Sequence, residues 1–289
     1  MSYIDVSSKA FPFLDTLKYQ FPNLNTLVCE IQGELNLRLW HQLSMHLIEL
    51  SEKTELHSGD ALIELYLNVV VSIESAFNPM KIMLILKNVI KNFYDRLDKA
   101  LTFLDEINNR MRLRGEEFFF WQCLRAECLL GLNRLHDCND VLKEVKVSLE
   151  KLFDVDHIVY AYFYKLYALY YDKKKNYDEF YNYALQFFAY CKDEHISNEE
   201  KLHLCYKMAL ASLIGEKMFN FSELIEKEFF KILVNSQYEW VYNLIKSLST
   251  GKVDQFVNML NNYRAHFESE SVLTDKKDFL DLKIRITAL

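Results

Sequence analysis

Residues 197–215 read SNEEKLHLCYKMALASLIG, and this stretch decides the fold class. Ser197 followed three residues later by Glu200 is the pattern of a reciprocal helix N-terminal cap, in which hydroxyl and carboxylate each take an amide left without an intrahelical partner. Leu202, Cys205, Tyr206, Ala209 and Leu213 then recur at three- and four-residue spacing, which lines one face of a helix. Gly215 stands where the run ends, as a terminating glycine does. The stretch is an amphipathic helix with both ends marked.

The same period repeats towards the N-terminus. One helical hairpin is predicted from Ile158 to Tyr171, through a turn at Lys173 to Asn176, and back along Tyr177 to Cys191. Another runs from Phe118 to Leu130, turns at Gly131-Leu132-Asn133 and returns along Leu135 to Leu152. Ala126 and Cys138 resemble the two small positions at which tetratricopeptide helices cross; the other positions of that signature are unmatched, so the repeat is solenoid-like. Upstream, Leu97, Leu101, Leu104, Asn108 and Met111 form a face expected to end near Gly115. Ile82, Ile85, Leu86, Val89 and Phe93 form another that opens at Asn78-Pro79, with Asn as cap and Pro at the first helical position. Leu62, Leu65, Tyr66, Val69, Ile73 and Phe77 read as a single helix before it. Phe11-Pro12 and Phe21-Pro22 predict short, interrupted helices in the first 30 residues.

Towards the C-terminus a short helix is expected over Ser222 to Phe230, then one over Tyr238 to Leu248, a break at Ser249-Thr250-Gly251, and a face of Val253, Phe256, Val257, Leu260 and Phe267. A last helix covers Asp278 to Ile286. Strand-type alternation is nowhere sustained, and 6 Gly with 3 Pro in 289 residues leave few places to break a helix.

Lys and Arg number 34 against 41 Asp and Glu, a net charge of −7. No general positive field draws the chain to nucleic acid or to an acidic membrane surface, so neither is expected as a partner. The most apolar run, Ala61 to Phe77, is broken by Glu64, Asn68 and Glu74 and falls short of a membrane span. The start, Met1-Ser2-Tyr3-Ile4-Asp5, has neither a secretory nor an organellar pattern. Cys29, Cys123, Cys128, Cys138, Cys191 and Cys205 are irregularly spaced, which suits reduced thiols in cytoplasm or nucleus.

No glycine-rich phosphate loop, nucleophile elbow or zinc signature is present, so no catalytic, cofactor-binding or metal residues are assigned and an enzyme is not expected. Cys191 and His195 lie one helical turn apart with His203 and Cys205 beyond, but helix boundaries separate them. His41 and His46 fall on different helix faces, as do Cys123 and Cys128, which read as small buried thiols. Arg110, Arg112 and Arg114 read as a solvated helix end, and Lys173 to Lys175 as a charged hairpin tip. Ten tyrosines lie between Tyr160 and Tyr190; they could stack bases or line the peptide groove of a tetratricopeptide-like adaptor, but base stacking lacks interleaved basic residues and inter-helix packing suits them better than either.

An ordered set of short pieces resembles the PCI family of proteasome lid, signalosome and initiation-factor subunits. These are Leu39-Trp40-His41-Gln42-Leu43, Asn78-Pro79, Ala100 to Leu104, Leu213 to Leu224, Trp240, and the Ser249-x-Gly251-x-Val253-x-x-Phe256 turn. The resemblance implies an all-α right-handed solenoid of tetratricopeptide-like hairpins leading into the helical part of a PCI domain. Its expected divisions are 1–34 as a short-helix segment, 35–195 as the solenoid and 196–289 as the PCI helical subdomain. Trp40, Gly215, Phe219, Asn220, Phe221, Gly251 and Phe256 match motif positions, the glycines reading as helix terminators and the Phe residues as packing anchors. Glu226-Lys227-Glu228-Phe229 stands where the family commonly has a His-Pro turn. The family continues into a winged helix and a C-terminal helix, so a chain ending at Leu289 is expected to be cut short and monomeric or weakly associating. The function implied is that of a non-catalytic proteasome lid scaffold. Its implied partners are other PCI subunits, the deubiquitinase module and the neighbouring ubiquitin receptor.

Overall fold

The computed structural model describes residues 7–152, 154–192 and 196–287, and every regular element among them is helical. The chain is all-α. It packs as two compact units, Met1–Leu152 and Phe153–Leu289. A division by packing differs in kind from the boundaries after residues 34 and 195 that the resemblance implies.

The first unit comprises α1 (Ser7–Gln20), α2 (Asn25–Leu37), α3 (Trp40–Glu52), α4 (Ala61–Leu65), α5 (Val71–Ile73), α6 (Pro79–Val89), α7 (Leu97–Met111), α8 (Glu116–Gly131) and α9 (Leu135–Leu149). Pro22 opens a short 3-10 turn after a Phe21 pushed out of the helical region, as expected. Pro12 departs from expectation by lying inside α1. Its missing N–H weakens the ladder there, but Ala10, Leu14 and Leu17 bury on one face and outweigh the loss. The stripe from Leu62 to Phe77 is buried at all six predicted positions; however, the helix widens into a π turn over Tyr66–Val70 that divides α4 from α5.

Asn78 caps α6 by accepting the amide of Met80 at 2.8 Å, with Pro79 at the first helical position. Helix α7 ends not at Gly115 but at Arg112, which takes the left-handed conformation with φ 52°. Gly115, φ 78°, instead precedes α8. Arg110 is exposed in the last turn of α7, as expected of a solvated helix end, and it is paired as well. Its Nε donates to both carboxylate oxygens of Glu74 at 2.8 and 3.1 Å, and its Nη2 donates to the Tyr66 hydroxyl at 3.3 Å. The α8–α9 hairpin appears where it was predicted, with Ala126 and Cys138 both fully buried.

The second unit holds α10 (His157–Lys173), α11 (Tyr177–Tyr190), α12 (Asn198–Ile214), α13 (Phe221–Glu226), α14 (Glu239–Ser249), α15 (Val253–Asn262), α16 (Arg264–Ser269), α17 (Ser271–Thr274) and α18 (Lys277–Thr287). Asp156, Asn176 and Ser197 cap α10, α11 and α12 by accepting the amides of Ile158, Glu179 and Glu200. Between α10 and α11 the tyrosines pack on one another, Tyr167 and Tyr183 stacking at 4.6 Å and Tyr160 and Tyr190 at 5.0 Å. The expected face from Val253 to Phe267 is only partly buried. Phe256 is enclosed, Phe267 belongs to the separate α16, and Val253 and Val257 are exposed.

Burial of weak acids gives the fold an alkaline limit. It pushes the Cys128 and Cys205 thiols and the Tyr181 hydroxyl up to about 12, and raises Cys123, Tyr66 and Tyr206 as well. A raised folded-state pKa contributes stability that is complete below the unfolded value and lost as pH climbs through the folded one; for a buried thiol this approaches ~4 kcal/mol by pH 12. The thermal midpoint is therefore expected to hold to about pH 8.5 and fall steadily from about pH 9. Circular-dichroism melts across this range test it; a midpoint unchanged at pH 11 would show that these groups titrate normally.

Candidate functional site

The C-terminus of α12 has the deficit common to all helix ends, since its last carbonyls have no amide within the helix to accept from. The amide of Gly215 closes on the carbonyl of Ala211 at 2.8 Å. The carbonyls of Ser212, Leu213 and Gly215 are met by one side chain from 68–71 residues further along. Lys283 of α18 donates to them from Nζ at 2.7, 3.2 and 2.6 Å. Three acceptors thus match the three donors of an ammonium, placed where the helix dipole favours a cation.

Lys283 is fully buried. Its Nζ also lies 5.2 Å from the ring centre of Phe219, 5.3 Å from Phe221 and 5.6 Å from Phe279, within the range of cation–π attraction. Burial pulls its pKa down to about 8, with Asp178 acting in the opposite sense. Relative to an unfolded lysine this lowered value favours the folded state increasingly as pH rises through about 8 towards 10.5, opposing part of the alkaline loss.

Asp178, in the first turn of α11, pins the loop after α12 from the other side. Its Oδ2 accepts the amide of Glu216 at 3.2 Å and its Oδ1 that of Lys217 at 3.0 Å. A cleft of about 520 Å³ opens beside this loop, with Lys175, Asp178, Gly215, Glu216, Asp275 and Lys276 among its lining residues.

Four of the motif residues converge on this node. Gly215 is required by space: its φ is −65°, an ordinary value, but an added Cβ would lie 2.8 Å from Asp178 Oδ1 and 2.9 Å from the carbonyl of Ala211. Asn220 caps α13 by accepting the amide of Glu223 at 3.3 Å, and Phe221 follows as its first, buried residue. Phe219 is not a packing anchor, being 38% exposed with its ring towards the Lys283 ammonium. Gly251 takes φ 66° after α14, and Phe256 is fully buried in the same apolar cluster as Phe221. Trp40 lies in the first unit, half-buried at the start of α3.

Lys283 itself was missed by the sequence reasoning. The signal was a lysine set between Leu280 and Ile284 on the apolar face of α18, where a solvated residue does not belong.

The remaining candidates do not assemble. His195 lies outside the described residues, and among the described residues no group of three or more His, Cys, Asp and Glu is placed to hold a metal ion. His46 meets Glu34 at 3.0 Å while His41 meets Lys81 at 3.3 Å. Lys174 sits over the Tyr170 ring. None of the six cysteines is joined in a disulfide. With its three protons engaged by carbonyls and no exposed surface, the Lys283 ammonium is closed to a substrate, so the node's chemistry is that of a fastener.

Residues 28–245, well over half the chain, match the family model described as PSD13 N-terminal repeats. The chain is similar to "26S proteasome non-ATPase regulatory subunit 13 homolog A" of Arabidopsis thaliana, 27% identical over 97% of this chain and 74% of the relative. It is also similar to "26S proteasome non-ATPase regulatory subunit 13" of Dictyostelium discoideum, 28% identical over 97% and 73%. "26S proteasome regulatory subunit RPN9" of Saccharomyces cerevisiae is 24% identical over 96% and 73%.

Proposed function

The chain belongs to the PSD13 N-terminal repeat family, and from that premise we propose that it is a non-catalytic structural subunit of the 26S proteasome regulatory particle. In this reading it scaffolds neighbouring lid subunits for ubiquitin-dependent protein degradation. The observation that carries it is the similarity running along 97% of the chain to relatives named as regulatory subunits of that particle. Residues 35–195 act as the solenoid arm, 1–34 as its leading segment and 196–289 as the helical part of a PCI module. The partners are other PCI lid subunits and the deubiquitinase module, with the ubiquitin receptor close by, in cytoplasm and nucleus. No helix among the described residues is long and apolar enough to cross a membrane.

The test is to tag the endogenous full-length protein, purify it natively at moderate salt and identify stoichiometric companions by mass spectrometry. Lid and base subunits together with the proteolytic core are the expected result. Signalosome or initiation-factor subunits would retain the fold and move the function. Recovery of the protein alone would overturn the scaffold and favour a peptide-binding adaptor that uses the half-buried stack of Tyr164, Tyr171, Tyr183 and Tyr190.

A further inference from the structure

Helix α18 has eleven residues, a length at which an isolated helix is marginal in water, so its order depends on what it docks against. Only three of its described side chains are buried: Leu280, Ile284 and Lys283. Leu282 and Ile286 are 54% and 45% exposed. Two aliphatic side chains alone define a docked helix poorly, because apolar contact is non-directional and tolerates a rotation or a shift along the axis. The ammonium is different, since three carbonyls held rigidly at the end of α12 receive it in one position only.

We infer that Lys283 is the positioning residue of α18: it sets the rotation and register of that helix, and so the direction in which Leu282 and Ile286 are presented. Release of α18 is then separable from unfolding of the rest of the unit. The α10–α11 hairpin, α12 and α14 have their own buried faces in Phe180, Ala184, Met208, Ala209, Val241 and Leu244. Losing the ammonium leaves three acceptors bare at one helix end without removing any of these contacts. The exposed pair on α18 is thereby held in place by a polar device on the flank of the same helix, about 60° to 100° round from it.

The test is hydrogen–deuterium exchange by mass spectrometry on the full chain, comparing wild type with Lys283→Ala and Lys283→Met. In both variants amides of 278–287 are expected to exchange about tenfold to a hundredfold faster, while those of 202–213 and 242–248 keep their protection. Lys283→Ala leaves room for the missing side chain, so added n-propylammonium should slow the exchange of 278–287 again, and n-propanol at equal concentration should not. The Met variant, with its space filled, should respond to neither. Unchanged exchange in 278–287 would overturn the inference. So would loss of protection in α12 and α14 together with α18, or equal rescue by the amine and the alcohol.

Discussion

Phe221→Asp is expected to abolish cooperative melting of the second unit, at a cost of at least ~4 kcal/mol. The ring is 3% exposed and shares a core with Leu224, Phe230, Trp240 and Phe256. Removing it opens a cavity, and the carboxylate that replaces it enters an apolar environment. The ammonium of Lys283, 5.3 Å from the present ring centre, is its nearest counter-charge among the ring's described contacts. Pairing with it draws Lys283 off the α12 carbonyls, so one broken set of bonds is exchanged for another. Phe221→Leu, which keeps most of the volume, should cost under about 1.5 kcal/mol. Circular dichroism during thermal and urea unfolding distinguishes the two. A soluble Asp variant with full helicity and a sharp transition would show that this position is not part of the core's support.

Gly215→Ala comes next in size, at about 2 kcal/mol, although a single methyl group is added and the backbone angles suit any residue. The methyl would press on the carbonyl of Ala211, which is backbone and cannot swing aside, and on the Asp178 carboxylate that fixes the amides of Glu216 and Lys217. Gly251→Ala is the informative companion. There the φ of 66° penalises a side chain conformationally, by about 1 kcal/mol. Urea titrations of both variants should rank Gly215 above Gly251; the reverse order would mean that conformation, not crowding, governs both glycines.

Those two glycines show how far the sequence could be read. Both were recognisable as helix ends, because an apolar period stopping at a glycine is local information. For Gly251 the reason was also correct, whereas for Gly215 the cause lies in Asp178 on another helix, which no local pattern reveals. The hairpins, the caps at Asn78 and Ser197 and the stripe from Leu62 to Phe77 were legible for the same local reason. Pro12 inside α1 was not, since burial of Leu14 and Leu17 overrode the local preference. Nor was the pairing of Arg110 with Glu74, 36 residues away. The candidate site was half visible: Gly215 and Phe221 were marked, while the lysine that reaches both lies 68 and 62 residues downstream of them.

That separation along the chain also sets an order of events during synthesis. A polypeptide leaves the ribosome from its N-terminus, so α12 and the Gly215 loop emerge well before Lys283 does. Until α18 follows, a growing chain carries three bare carbonyls beside the open faces of Phe219 and Phe221, on a body whose other helices are already able to pack. A chain still lacking α18 is thus told apart from one that has made it by a small, chemically distinctive patch, and the arrival of that helix erases the mark.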